Sequence, residues 1–529
     1  MAVEHVEIER KFDVEESFVL PDLRDVPGVT EASPPVEHLL EATYYDTADL
    51  RLARARVTLR RRTGGSDAGW HVKLPAAAGA RRELHSPAGR AARTPPKAVL
   101  EPVLGIVRSA PAEQVAALRT RRQVVELRDA EGGVLAEIAD DHVTGTVPST
   151  EPGGAAVVTA WRELEVELVD GDEALLAAVA EAVQAAGARP AASPSKLARV
   201  LADRLAGLDG AAPAGAPEPA TGKKGRKGKK KQQADGGDPG RPAGVVLREV
   251  LRDQVAALQD ADLMVRTGQP DAVHQVRVAC RRLRSTLAAF RPVLDRAQTD
   301  ALRQELSEVG AALSGGRDAE VALGHLRALV AGQPEELVLG PVAARLQQAE
   351  IKELQAAEGT ARTVLSGAAY LRLRDDLDAL VADPPLTEHA AAPADEVARE
   401  VLARTAKRLR RAVSGAMDTD DPAALHEVRK AAKRVRYSAE AVVPVLGEPV
   451  AELVDALKDV QDVLGALQDT VVTRELCTRI GLQAFGAGEN AWTYGRLHGL
   501  EEARADRAEQ DFWACWPVLR PVLKAAVRP

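Results

Sequence analysis

Two hydrophobic periods divide this chain. Up to about residue 205, apolar and polar residues alternate in short runs: VEHVEIERKF from Val3, RVTLRRR from Arg56, WHVKL from Trp70, RRQVVEL from Arg121, VLAEIADD from Val134 and WRELEVELV from Trp161, with Gly, Pro and Asp between them. A period of two is that of a strand, so the first part predicts an antiparallel, β-rich domain with a few helices. Beyond residue 243, long Ala/Leu/Arg segments repeat their apolar positions every 3.6 residues and strand signals stop, which predicts a helical bundle. Residues 206–242 between them are dense in Gly, Pro, Ala and then Lys, and are read as a disordered linker. Its run Lys223 to Lys231 holds seven basic residues in nine. That run could touch a polyanion, or simply keep a solvated linker extended.

The alternation also sorts charge. Val6, Ile8 and Phe12 share one face of the first strand, while Glu7, Glu9 and Lys11 share the other. Leu59 alternates with Arg60 and Arg62, Val72 and Leu74 with Lys73, and Leu164, Val166 and Leu168 with Glu163, Glu165 and Glu167. Glu137 and Asp141 also lie an even number apart. A solvent-facing sheet explains any one such strand. Five of them, mixing carboxylates with guanidinium and ammonium groups, fit a barrel whose lumen is both acidic and cationic. Such a lumen suits a polyphosphate that arrives with divalent cations: carboxylates take the hard metal and Arg and Lys neutralise phosphate oxygens.

Composition narrows the partners. The 529 residues are 45% hydrophobic, enough for two or three domains. Lys and Arg number 70 against 78 Asp and Glu, a net charge of −8, which argues against a nucleic-acid coat and makes any basic function local. Five each of Trp, Tyr and Phe give little for base stacking. Cys280, Cys477 and Cys515 are far apart, with neither disulfide nor zinc spacing. The first residues carry charge from position 4 with no apolar leader, and no 18-residue apolar run occurs. A cytoplasmic, membrane-free protein is expected.

Glu7-Ile8-Glu9-Arg10-Lys11 (ExExK), Tyr44-Tyr45-Asp46-Thr47, Leu59-Arg60-Arg61-Arg62, the ELEVE of Glu163 to Glu167, and Ser195-Lys196 follow one another in order. This set resembles the CYTH domain, the triphosphate tunnel family, over residues 1–205. The resemblance implies an eight-stranded antiparallel β-tunnel that binds a triphosphate with Mg²⁺ or Mn²⁺ and hydrolyses its terminal phosphoanhydride. It implies metal-binding carboxylates at Glu7, Glu9, Glu163 and Glu165, and at Asp141 or its neighbour Asp140. It implies phosphate-gripping cations at Lys11, Arg60, Arg62, Lys73, Lys196 and one of Arg121 and Arg122, with Arg122 preferred. Glu7, Glu9 and Lys11 are the expected catalytic residues, a carboxylate or a metal orienting the attacking water. Where many relatives place a Gly before the LRxR strand, this chain has Arg56-Val57-Thr58.

The second part carries an internal repeat. His274-Gln-Val-Arg277-Val-Ala-Cys-Arg281-Arg282-Leu-Arg284 matches His426-Glu-Val-Arg429-Lys-Ala-Ala-Lys433-Arg434-Val-Arg436 at offsets 0, 3, 7, 8 and 10. On a helix, offsets 0, 3, 7 and 10 form a stripe about 80° wide, so each copy presents a narrow ridge of one His and three cations. No Asp or Glu lies between Val273 and Arg291 to offset that charge, and like charges so close repel unless an anion neutralises them. Each His could be a plain helix-start residue, but at the head of a repeated cationic stripe it favours phosphate binding. With Leu457 to Asp469 (LKDVQDVLGALQD), these blocks resemble the CHAD domain, a conserved-histidine α-helical module, over residues 243–520, with copies at about 243–390 and 395–520. One departure is Arg317-Asp318-Ala-Glu320, where relatives more often show two Asp. The resemblance implies two related bundles around a positive cavity that binds long-chain polyphosphate through His274, Arg277, Arg281, Arg284, His426, Arg429, Lys433 and Arg436.

The expected protein is therefore α+β and multidomain: a tunnel acting as an inorganic triphosphatase, joined to an all-α duplicated bundle that binds polyphosphate, in the cytoplasm or at polyphosphate granules. A class IV adenylyl cyclase or a thiamine triphosphatase would use the same tunnel. A granule-targeting protein would bind without turnover.

Overall fold

The alternating segments of the first part pair antiparallel throughout: β1 (Val3–Glu7), β2 (Glu9–Val14), β3 (Glu31–Ala32), β4 (Val36–Asp46), β5 (Thr58–Thr63), β6 (Gly69–Pro75), β7 (Arg81–Pro87), β8 (Glu113–Arg128), β9 (Val134–Val147), β10 (Val157–Leu168) and β11 (Arg189–Pro190). The computed structural model describes residues 3–64, 67–75, 81–87, 94–209, 240–419 and 421–528, without the side chains of residues 3–7, 81, 209, 315–318 and 422. Neighbouring strands run β1-β7-β6-β5-β4-β8-β9-β10-β2-β11. Because β1 and β2 are one stretch of chain broken only at Ile8, pairing β1 with β7 and β2 with β10 closes the sheet on itself. Counted as one strand, β1–β2 joins β4 to β10 in an eight-stranded tunnel. Ile8, at the switch of partners, is left 41% exposed, whereas Phe12 is 2% exposed.

The outer wall is apolar where helices cover it. Phe12, Ile138, Leu164 and Val166 pack against Leu175, Leu176, Val179 and Val183 of α4 (Glu173–Ala185), which follows the short helices α1 (Arg51–Arg54), α2 (Lys97–Leu100) and α3 (Leu104–Val107). Each such fully buried Leu or Val contributes about 1.5–3 kcal/mol. Asp172 starts α4 by accepting from Leu175 N at 2.8 Å. On the other flank, Tyr44, Leu118 and Val143 bury Leu197 and Leu201, from α5 (Lys196–Val200) and the turn after it; α6 (Ala202–Asp209) follows. The helix thus runs past the boundary expected at 205. Most of the expected linker, Lys223 to Lys231 included, lies outside the described residues.

Two motif segments are scaffolding. Asp46, 0% exposed, accepts from the backbone N–H groups of Thr47, Leu52 and Ala53 at 2.7–2.9 Å and folds the β4–β5 turn. Arg56, where a Gly is usual in relatives, takes a left-handed backbone with φ 58°. The turn keeps the shape a glycine would favour.

The chain divides into two compact units, Met1–Thr221 and Gly222–Pro529. The second is helical: α7 (Ala243–Arg266), α8 (Ala272–Ala289), α9 (Arg296–Ala312), α10 (Ser314–Ala331), α11 (Val342–Ser366), α12 (Ala368–Ala382), α13 (Ala394–Met417), α14 (Pro422–Leu446), α15 (Glu448–Gly486) and α16 (Trp492–Ala526). α7 and α13, corresponding first helices, begin at a reciprocal pair of backbone hydrogen bonds, Ala243 N to Ala392 O and Ala394 N to Arg241 O, both 2.9 Å. The main core runs through α7, α8, α13, α14 and α15, with Leu247, Leu251, Leu283, Leu402, Val435 and Leu457 buried. A separate core joins α10 and α11 to the C-terminal half of α15 and the N-terminal half of α16 through Leu323, Leu346, Ile480 and Leu497.

Candidate functional site

Alternate residues of the closed sheet point inward and enclose a cavity of about 740 Å³. Strand register places their charges side by side. Arg122 lies opposite Asp141, Asp141 opposite Glu163, and Glu165 opposite Lys11. Glu126, Glu137, Glu167 and Glu9 form a further rung across β8, β9, β10 and β2.

One wall is a dense ion cluster. Arg122 donates Nε to Asp141 Oδ1 at 2.8 Å, and Nη2 to Asp141 Oδ2 at 2.6 Å and Glu165 Oε2 at 2.5 Å. Lys196 Nζ lies 2.9 Å from Asp141, 2.7 Å from Glu163 and 2.7 Å from Glu165. It is aimed there by its helix: Ser195 caps α5 by accepting from Ala198 N at 3.1 Å. Lys11 Nζ donates to Glu9 Oε2 at 2.7 Å and also contacts Glu165. Burial alone would raise the Glu165 carboxyl, but Lys11, Lys196 and Arg122 hold it well below the usual range. Asp141 is likewise lowered, against burial, by Lys196 and Arg122. For Lys196 burial works downward, and Asp141, Glu165 and Glu163 outweigh it, so the ammonium is raised. Glu167 goes the other way: burial raises its carboxyl, Lys73 opposes, and Glu9, Glu165 and Glu137 add to the rise.

The opposite wall is built from β5, β6 and β7. Glu83 gathers Lys73 Nζ at 3.1 Å, His71 Nδ1 at 2.5 Å and Arg60 Nη2 at 3.7 Å. Arg62 Nη1 donates to Asp67 Oδ2 at 2.8 Å.

The structure thus brings Glu9, Lys11, Arg60, Arg62, Lys73, Arg122, Asp141, Glu163, Glu165 and Lys196 to one tunnel. Glu7 ends β1, but its side chain lies outside the described residues. The two open choices resolve by strand parity. Arg122 and Asp141 point inward, while Arg121 is half exposed beside Glu37 at 3.9 Å and Asp140 faces outward to Arg162 at 2.7 Å. Glu83, His71, Asp67 and Glu126 are wall residues that the alternating segments did not single out. The signal for Glu83 was its even spacing from His85, in a β7 whose only apolar marker between charges is Leu84.

In the helical unit, α8 and α14 pack together with Arg282 Nε 3.2 Å from Glu440 Oε2. The two ridges face one another. The charges acting most strongly on Lys433 are all cationic, Arg429 and Arg436 from its own helix and Arg281 and Arg277 from α8. Burial first, then these neighbours, push its ammonium down to about 7. Arg284 is exposed and sits near Arg303 and Arg434. Arg436 stacks over the Tyr437 ring at 4.9 Å. His274 lies in the first turn of α8, and His426 donates Nδ1 to Gln468 Oε1 of α15 at 2.7 Å. Arg317 and Asp318 lie outside the described side chains. No described helix is long and apolar enough to cross a membrane.

Fold and site define a two-part protein, an antiparallel tunnel with an ionic lumen followed by a helical bundle with facing cationic helices. The CYTH domain model matches residues 5–200 and the CHAD domain model residues 249–478, so the chain is a CYTH–CHAD fusion and belongs with those families. It is 36% identical over 539 residues to uncharacterized proteins from two strains of Mycobacterium tuberculosis, covering 99% of this chain and 98% of each relative. Among solved structures, PptA from Streptomyces chartreusis is 22% identical over 52% of this chain and 99% of its own (TM-score 0.44). The CHAD domain from the plant Ricinus communis is 25% identical over 56% and 98% (TM-score 0.43). A Hippeastrum protein described as a putative adenylyl cyclase with a dominant triphosphatase activity is 18% identical over 38% and 99% (TM-score 0.22).

Proposed function

We propose that the tunnel hydrolyses the terminal phosphoanhydride of inorganic triphosphate with Mg²⁺ or Mn²⁺, and that the helical unit binds long-chain polyphosphate in the cytoplasm or at polyphosphate granules. The observation that supports this reading best is the pairing, in one lumen, of a carboxylate cluster with six phosphate-sized cations. Asp141, Glu163 and Glu165 each offer one oxygen, all within 4.8 Å of one another. These are hard donors, and the Lys196 ammonium already lies among all three, so the donor set fits a divalent cation. When bound, such an ion neutralises phosphate charge and polarises a phosphoryl oxygen.

The chain's own residues do the rest. Arg60, Arg62 and Lys73 grip the anionic chain from the β5–β6 wall, the guanidinium forks fixing its rotation. Arg122, Lys196 and Lys11 face the other end of the same phosphates and balance charge that shifts to the bridging oxygen as it leaves. Glu9, held by Lys11, orients the water and takes its proton. The water oxygen bonds to the terminal phosphorus, the anhydride bond breaks, and orthophosphate and pyrophosphate result.

Phosphate release from tripolyphosphate with added Mg²⁺ or Mn²⁺, and none in excess chelator, is the expected result. Full-rate hydrolysis in chelator removes the metal role. Cyclic AMP formed from ATP, or turnover of thiamine triphosphate alone, assigns the tunnel to those reactions instead.

A further inference from the structure

His71 lies on β6 between two carboxylates that themselves hold phosphate-gripping cations. It is 2% exposed, and both ring nitrogens face acceptors: Nδ1 meets Glu83 Oε1 at 2.5 Å and Nε2 meets the Asp67 backbone carbonyl at 2.9 Å. The Asp67 carboxylate is 3.9 Å from Nε2 and binds Arg62. Glu83 in turn holds Lys73 and lies near Arg60. The other neighbours are His85, whose ring centroid is 4.8 Å away, and Arg60, directly opposite His71 on β5. The β1 residue opposite Glu83 is His5, whose side chain lies outside the described residues. His85 fills the space left by Gly69, where a Cβ would stand 2.5 Å from His85 Nε2, so the imidazole pair is built into the wall.

Two acceptors on one ring require two ring protons, or a proton shared with Glu83. Resting on the triphosphatase reading, we infer that His71 is a positioning residue: its protonated ring neutralises Glu83, so that Lys73 and Arg60 can leave Glu83 for the phosphates of the substrate. When triphosphate enters, those cations turn to its oxygens and Glu83 loses two partners. A carboxylate that has lost those two cations beside a polyanion would either repel it or recapture Lys73 and Arg60. The His71 proton prevents both. A ring with one proton fewer is neutral and no longer offsets the Glu83 charge, whichever nitrogen keeps its hydrogen, and the grip weakens.

The test is steady-state kinetics on tripolyphosphate with saturating Mg²⁺. His71→Gln should raise KM about tenfold with kcat changed by less than about threefold. Glu83→Gln added to His71→Gln should restore most of the lost affinity, because no carboxylate remains to compete. A KM equal to that of the parent, or a double variant no better than His71→Gln, overturns the proposal. Nitrogen-15 NMR of the parent's His71 ring decides independently of any variant or turnover. Protonation of both nitrogens, or one proton shared between Nδ1 and Glu83, is expected at pH 7. A neutral ring, with its one hydrogen on Nδ1 or on Nε2, sinks the idea. Absence of tripolyphosphate hydrolysis with the NMR result intact would overturn the triphosphatase reading and leave the arrangement standing.

Discussion

At the scale of residues, the two units use cations differently. In the tunnel, buried cations are matched by buried acids: three cations meet at Glu165. In the bundle, Lys433 is surrounded by guanidiniums. Its proton is therefore costly in the folded state and cheap in the unfolded chain. That cost is full below about pH 7, shrinks as pH rises, and vanishes above the usual lysine range. Lys433→Met should raise Tm, most at pH 6, and the gain should fade by about pH 10.5. A bound polyphosphate restores the ammonium, so affinity should fall as pH rises through about 7, and binding at pH 8 should take up a proton. Calorimetry in two buffers of different ionisation heat measures that uptake. Equal heats in both buffers for the parent protein would contradict it. Sequence showed the ridge residues, but not that the two ridges face each other, because only packing of α8 on α14 brings Arg277 and Arg281 to Lys433.

At the scale of elements, alternation made β2, β5, β6, β8, β9 and β10 readable because one face of each is buried under helices or against the chain. It missed β7, where charges stand on both faces, and the break at Ile8, where one strand exchanges partners. Exchange of partners is a property of the closed ring, not of any local window. Helix period similarly showed the bundle but not the buried polar contact that pins its far end. There Glu501 of α16, 1% exposed, accepts from Thr473 Oγ1 of α15 at 2.6 Å and His325 Nε2 of α10 at 2.8 Å. Burial pushes its carboxyl up, yet these bonds and the charges of His325 and Arg504 win and hold it at about 2. A lowered acid stabilises above its unfolded pKa near 4.5 and loses that stabilisation as pH falls through about 2. Hydrogen exchange in the C-terminal half of α15 and the N-terminal half of α16 should rise over that window. Glu501→Gln should lower stability by about 2 kcal/mol at pH 7 and by little near pH 2. Equal loss at both pH values would mean that the carboxylate charge is not what holds the helices.

At the scale of the whole molecule, the proposed function assigns hydrolysis to the tunnel and polyphosphate binding to the bundle. Among the described residues, the ridges supply cations without a carboxylate cluster like that of the tunnel. Changing Arg277, Arg281, Arg429 and Lys433 to Ala in the full chain should weaken binding of long polyphosphate by at least tenfold and leave tripolyphosphate hydrolysis within about twofold. Parent binding should itself weaken steeply with salt, since exposed charges are screened beyond about 8 Å at physiological ionic strength. Undiminished polyphosphate binding by the quadruple variant would make the ridges structural.

The sequence by itself determined which part is sheet and which is helix, the order of motifs that marks a CYTH–CHAD fusion, and most of the charged residues that end in the tunnel. Those signals survive because side-chain period and residue chemistry are local. Tertiary structure alone decided that Arg122 and Asp141, not Arg121 and Asp140, face the lumen: a one-residue shift reverses every side chain, and only the pairing of β8 with β9 and β10 sets the register. It also brought His71, Glu83 and Asp67 to Arg60, Arg62 and Lys73, across three strands that no sequence window spans.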